Sequence, residues 1–340
     1  MKLHSMVLIT EQETIEFEVG EVSALAFTAN GEYLLSGGDE GVQVWRVKDG
    51  ERVATMKVEG GAWCVAVSKD GKYIAAGSCD GAVLIWDATN YKRVRFAGKI
   101  DLIQSPIFDV DFSPDSSRLV SADGTNNTAT VWDIAARQMT SLDHGAWVLA
   151  AKYSPQGDRI ATISYSSVQV WDSDSGRLLV DVKAELRPLR GLLWFNNHLF
   201  VKTNDSKIKQ IDASTGSTFS EWSVPSTNAS ITLPQHGQFV AYSGRDSITF
   251  WDTTTRTQLG FISQSNKNRS IAFSPGGHIL AVVQEQKIII KDLSVTKVRP
   301  HMNKFPFLIY TSYTRNWTFV LKMLRSMPGM TVNSRMQKRY

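Results

Sequence analysis

Asp143 and His144 are neighbours, and a carboxylate beside an imidazole is the pairing that orients a general base. Nothing around them supplies a nucleophile. Ser164-Tyr165-Ser166-Ser167 offers hydroxyls but lacks the strand-to-helix elbow that exposes a reactive serine. His4, His198, His236, His278 and His301 are scattered, none at the spacing that sets two imidazoles on one face, so they read as surface or turn residues and no metal site is expected. Gly37-Gly38-Asp39-Glu40-Gly41 is glycine-rich, yet no helix follows to aim its amides at a phosphate, and it reads as a hairpin turn. Cys64 falls in a strand-like stretch and Cys79 in the next turn; both are expected as buried thiols in a reducing setting. These residues predict neither an active site nor a cofactor.

The elements that carry them repeat. Val22-Ser23-Ala24-Leu25-Ala26-Phe27 and Val168-Gln169-Val170-Trp171 alternate with period two, as half-buried strands do. Turn pairs such as Asn30-Gly31, Asp70-Gly71, Pro114-Asp115, Gln156-Gly157, His236-Gly237 and Gly276-Gly277 recur at equivalent points, with Asn196-Asn197 in the fifth unit. A third strand then ends at Trp45, Trp86, Trp132, Trp171 or Trp251, four of these followed by Asp, and Ile211-Asp212 and Lys291-Asp292 occupy the same place in two degenerate units. The period is close to 40 residues, the length of one four-stranded propeller blade, and the count is seven.

Phe112-Ser113-Pro114-Asp115, Phe273-Ser274-Pro275-Gly276-Gly277, Ser78-Cys79-Asp80-Gly81 through Trp86-Asp87, and Val131-Trp132-Asp133 resemble the WD-repeat family over roughly residues 14–293, with a weaker likeness to fungal WD-repeat proteins. The resemblance implies an all-β, seven-bladed β-propeller over residues 1–293. It also implies ring closure: Thr14 to Val19 would supply the outer strand that the seventh unit lacks, removing open sheet edges. In that family a His, a Ser or Thr, an Asp and the Trp tie each blade. Only His144 sits at the His position, and its blade has Ser166 or Ser167 at the Asp position, while the first two blades keep Asp39 and Asp80 without a His. His144 is thereby expected in a structural role.

The same resemblance places the partner surface on the face where the inner strands begin. Aligning the units puts Glu21, Ser23, Trp63, Phe108, Trp147, Arg190, Arg245, Lys267 and Arg269 there, aromatic on one side and cationic on the other. Such residues dominate binding hot spots, and the mixture suits a protein or peptide with acidic and apolar groups. A non-catalytic interaction scaffold is the expected function. A propeller hydrolase is the alternative from another class, but it requires carboxylates or histidines converging on the central channel, and the sequence shows no such ring.

Charge divides the chain. The net charge is +4, but residues 294–340 hold nine Lys or Arg and no Asp or Glu, which leaves 28 basic against 33 acidic residues before them. An acidic body excludes general phosphate-backbone binding as the expected role, so no nucleic-acid partner is predicted. No apolar run approaches the roughly 20 residues of a membrane-spanning helix, and no export signal is read at the start, so a cytoplasmic or nuclear setting is expected. The tail reads either as a disordered extension or, with Trp317, Val320, Leu321, Leu324 and Met327 at helical spacing, as a short basic amphipathic helix. A peripheral membrane adaptor using that tail is the third alternative.

Overall fold

The computed structural model describes residues 6–94, 105–124, 126–183, 191–203, 205–224, 230–234, 236–244, 247–263 and 268–298. Within them the chain forms seven antiparallel sheets and no helix. Six sheets have four strands; blade two has three, plus a bridge from Arg93 to Trp86. The inner strands are Val22–Phe27, Ala62–Val67, Ile107–Phe112, Ala150–Tyr153, Leu192–Phe195, Ile231–Thr232 and Asn268–Phe273, and each neighbours the next until the seventh meets the first.

Closure follows from pairing at the ends of this ring. Met6–Glu18 forms the outer strand of blade seven, antiparallel to Lys287–Val298, with Glu18 opposite Lys287 and Met6 opposite Val298. A register shift between Glu11 and Thr14 divides the pairing. Thr14 to Glu18 covers Asp292's blade as the sequence implies, and the pairing continues beyond it, so the third strand of blade seven runs past residue 293 to Val298. The tail from residue 299, with its helical spacing, lies outside the described residues.

The core is not one mass but seven seams. Each hydrophobic cluster draws residues from two adjacent blades, because a blade is a sheet buried on both faces. Leu34 packs toward blade seven with Ala281 and Ile288, whereas its neighbour Leu35 packs toward blade two with Ile74 and Trp86. Leu119 and Val120, and Ile160 and Ala161, divide in the same way. This is why the second strands read as continuous apolar runs rather than alternating ones.

The Trp-Asp pair has separate physical jobs for its two halves. The indole closes a seam and its N–H finds a hydroxyl: Trp45 Nε1 donates to Ser36 Oγ at 2.8 Å, Trp132 to Ser121 at 2.9 Å and Trp171 to Thr162 at 2.8 Å. The carboxylate caps the turn to the outer strand. Asp87 accepts from Thr89 N at 2.8 Å, Asp133 from Ala136 N at 2.7 Å, Asp172 from Ser175 N at 2.8 Å and Asp252 from Thr254 N at 2.8 Å. Asp212 does the same for Ser214 at 2.9 Å, so the degenerate Ile211-Asp212 unit keeps the half of the motif that makes the turn. Hydrogen bonds from Thr89, Ser175 and Thr215 hold Asp87, Asp172 and Asp212 below the usual carboxylate range.

Candidate functional site

The ring has two end faces. On the upper face the chain enters each inner strand and turns from the second strand to the third; on the lower face lie the other two turns of each blade. The upper entrance is shaped by an extra residue. In blade one Val22 opposes Gly38 and Ala24 opposes Gly37, leaving Ser23 between them; in blade two Trp63 is left over in the same way, and in blade three Phe108. Blade seven has the corresponding irregularity between Asn268 and Ile271, a span that contains Arg269. An extra residue at the end of a strand redirects a side chain that the pleat would otherwise send into a seam.

Trp63 and Phe108 are both half-buried and their rings pack against each other, centroids 5.7 Å apart. Phe108 also lies directly over Gly124, where a Cβ would meet its ring at 2.2 Å, and it packs on the cluster that holds Leu149. Trp147 is exposed, at 46% of its surface, and so to the same extent is Tyr165; their ring centroids are 6.4 Å apart. Glu21 is exposed and Ser23 half-buried on the same face. Arg190, Arg245 and Lys267 lie outside the described residues, as does the side chain of Arg269, so the cationic half of the expected ring is left to expectation.

Blade four corrects the sequence reading in an informative way. Ser164 N bonds to Ser167 O at 2.9 Å, closing a turn of two residues, Tyr165 and Ser166. Blade one closes Gly38 on Gly41 around Asp39 and Glu40. Tyr165, rather than Ser166 or Ser167, therefore stands in the place of Asp39. His144 is buried, as a structural His must be, but neither ring nitrogen has a hydrogen-bond partner among the described residues, and burial lowers its pKa. The aromatic that replaces the carboxylate turns instead onto Trp147, exchanging an internal tie for an exposed ring pair. Asp39 and Asp80 are both exposed. Trp45, Trp86, Trp132 and Trp171 are buried and Trp251 is half-buried, bonded to Thr249 at 3.1 Å. Cys64 is buried, but Cys79 is only half-buried, because its turn lies at the upper surface.

Among the described residues, a charged cluster lies between the inner strands of blades three and four. The inner edge of Ala150–Tyr153 has no neighbouring strand, and two carboxylates of blade three serve its amides: Asp109 accepts from Ala151 N at 3.3 Å and Asp111 from Tyr153 N at 2.9 Å. Lys152 reaches Asp109 at 2.9 Å and Asp111 at 3.9 Å. Burial opposes the charge on Lys152, yet the two carboxylates prevail and raise its pKa. Burial likewise pushes Asp111 up to about 6, against the downward pull of Lys152. Among the described residues no group of three or more His, Cys, Asp or Glu is gathered as a metal site, and no helix is long and apolar enough to cross a membrane.

Sequence reasoning did not anticipate the lower mouth of the channel. A cavity of about 760 Å³ opens there, lined by the last residues of the inner strands. Phe27, Phe112, Tyr153, Phe195 and Phe273 come from five blades, and Val67 and Leu233 from the other two. The signal was present as the apolar residue that ends each inner strand, but in sequence such a residue is indistinguishable from core.

Blades joined edge to edge around one channel, with indole-to-hydroxyl ties and Asp-capped turns, define a β-propeller of the WD-repeat class. The family profile "WD domain, G-beta repeat" matches residues 12–46, 50–87 and 98–133, and with the seven-bladed ring it supports a WD40-repeat propeller family. Among similar proteins, "WD repeat-containing protein 1" of Gallus gallus is 26% identical over 242 residues, covering 67% of this chain and 40% of its own length. "Transcriptional corepressor LEUNIG_HOMOLOG" of Arabidopsis thaliana is 21% identical over 286 residues, 82% of this chain and 36% of its own. "Nuclear distribution protein nudF" of Emericella nidulans is 25% identical over 182 residues, 46% of this chain and 41% of its own. The matches thus span about two fifths of these relatives' lengths.

Proposed function

We propose that this propeller is a non-catalytic scaffold that docks a protein or peptide on its upper face. The observation that carries the reading is the exposed Trp147–Tyr165 pair, beside the Trp63–Phe108 stack on the same entrance. Large aromatic surface held in fixed orientation is a strong source of binding energy. Arg190, Arg245, Lys267 and Arg269, expected on this face from the sequence, would suit a partner with acidic as well as apolar groups, in a cytoplasmic or nuclear setting.

Affinity capture from native extract, quantified by mass spectrometry, tests this. A folded Trp147→Ala, Tyr165→Ala variant should lose at least about thirtyfold in affinity for its main captured partner, as expected when a central aromatic anchor is truncated. Unchanged capture by that variant places the docking surface elsewhere.

A further inference from the structure

The lower mouth differs in chemistry from the upper face. Its walls mix aromatic side chains with Ser68, Ser113, Ser154 and Ser274, and its rim carries Pro114, Pro155 and Pro275, whose rings fix the turns around the opening. One carboxylate, Asp111, stands on this lining with its side chain 30% exposed. Its Oδ2 is taken by the Tyr153 amide, while among the described residues Oδ1 has only the long 3.9 Å approach of Lys152, whose ammonium is committed to Asp109 at 2.9 Å. Two carboxylates thus share one lysine, and the cluster keeps a surplus negative charge beside the aromatic side chains of the cavity.

We propose that the lower mouth is a binding site for a cationic side chain, an Arg or Lys flanked by apolar residues in a partner peptide. The guanidinium or ammonium supplies the donor that Asp111 Oδ1 lacks, and the aromatic faces around it favour a cation over a neutral group of the same shape. The flanking apolar residues cover Phe195, Phe273 and Leu233. A purely apolar occupant would strip water from Asp111 and return nothing to it. Lys69, an exposed cation of the same lining, is the competing anchor that an anionic occupant would use.

Ligand-observed NMR titration of the whole chain with acetyl-Leu-Arg-Leu-amide, its citrulline counterpart and acetyl-Leu-Glu-Leu-amide tests the assignment, because citrulline keeps the shape of Arg without its charge. The Arg peptide should bind about tenfold more tightly than the citrulline peptide, the margin between charge-assisted and neutral hydrogen bonds. Asp111→Asn should abolish that preference, Trp194→Leu on the cavity wall should weaken the Arg peptide, and Trp147→Ala on the upper face should change nothing. Equal affinity for the Arg and citrulline peptides, tighter binding of the Glu peptide, or a preference that survives in Asp111→Asn overturns the proposal. Should circular dichroism show Asp111→Asn unfolded, the wild-type ratio and Trp194→Leu decide it.

Discussion

A Tyr hydroxyl and a Thr hydroxyl, both in the same blade, bear opposite burdens. The Tyr153 hydroxyl is buried without a hydrogen-bond partner among the described residues, and burial pushes its pKa upward. Removing an unpaired buried polar atom while keeping shape is neutral or stabilising, so Tyr153→Phe should leave the urea midpoint unchanged or raise it. Thr162→Val is the converse. It preserves volume but takes the acceptor from the Trp171 indole, and the same urea titration should show a loss of about 1–3 kcal/mol. What could be read from sequence divides along a similar line. The Trp residues that close the seams were legible because a side chain's identity was the signal. Tyr165 was not, because its significance comes from a turn of two residues, and turn length is a property of the backbone. The bulges that present Ser23, Trp63 and Phe108 escaped notice for the same reason: alternation in sequence shows which residues share a face, not where the pairing gains an extra residue.

The turn into the outer strand is the element on which pH acts. Asp87, Asp172 and Asp212 have lowered pKa values in the folded chain, so each contributes stability that is complete above the ordinary carboxylate value of about 4 and is lost as pH falls through the folded value. Asp111 has the opposite sign. Its folded value near 6 means that the native state holds a proton the unfolded chain has released, so stability falls as pH rises from about 4 to 6. Urea titrations across pH should therefore show Asp172→Ala less stable than the parent at pH 7, with the gap narrowing below about pH 4. Asp111→Asn should flatten the decline between about pH 4 and 6. The same element explains the Gly at 216, whose φ is +74° and where a Cβ would strike Val182 at 2.7 Å, the turn of one blade pressing on the outer strand of the one before.

At the scale of the ring, every seam depends on two neighbours, and the last seam depends on a strand from the other end of the sequence. Ile15 and Phe17 of that strand pack with Trp45 of blade one, the Phe17 and Trp45 rings 4.9 Å apart. Deleting residues 1–18 should leave the 287–298 strand as an open edge, with soluble aggregates in size-exclusion chromatography and loss of a single cooperative unfolding transition. A monomer that melts in one step after that deletion would mean the ring is held by its seams alone. The fold was legible at this scale because repetition multiplies a weak signal seven times. The lower cavity was hidden because it exists only where seven strand ends meet.

The antiparallel closure also decides how the ring answers force. Met6 and Val298 are paired at the same end of their two strands, so tension applied through the residues beyond them peels the pair open one hydrogen bond at a time instead of loading all of them in shear. Under load blade seven is thus the latch of the molecule, the first part to give way and, once the tension is released, able to zip shut again from Glu18 and Lys287.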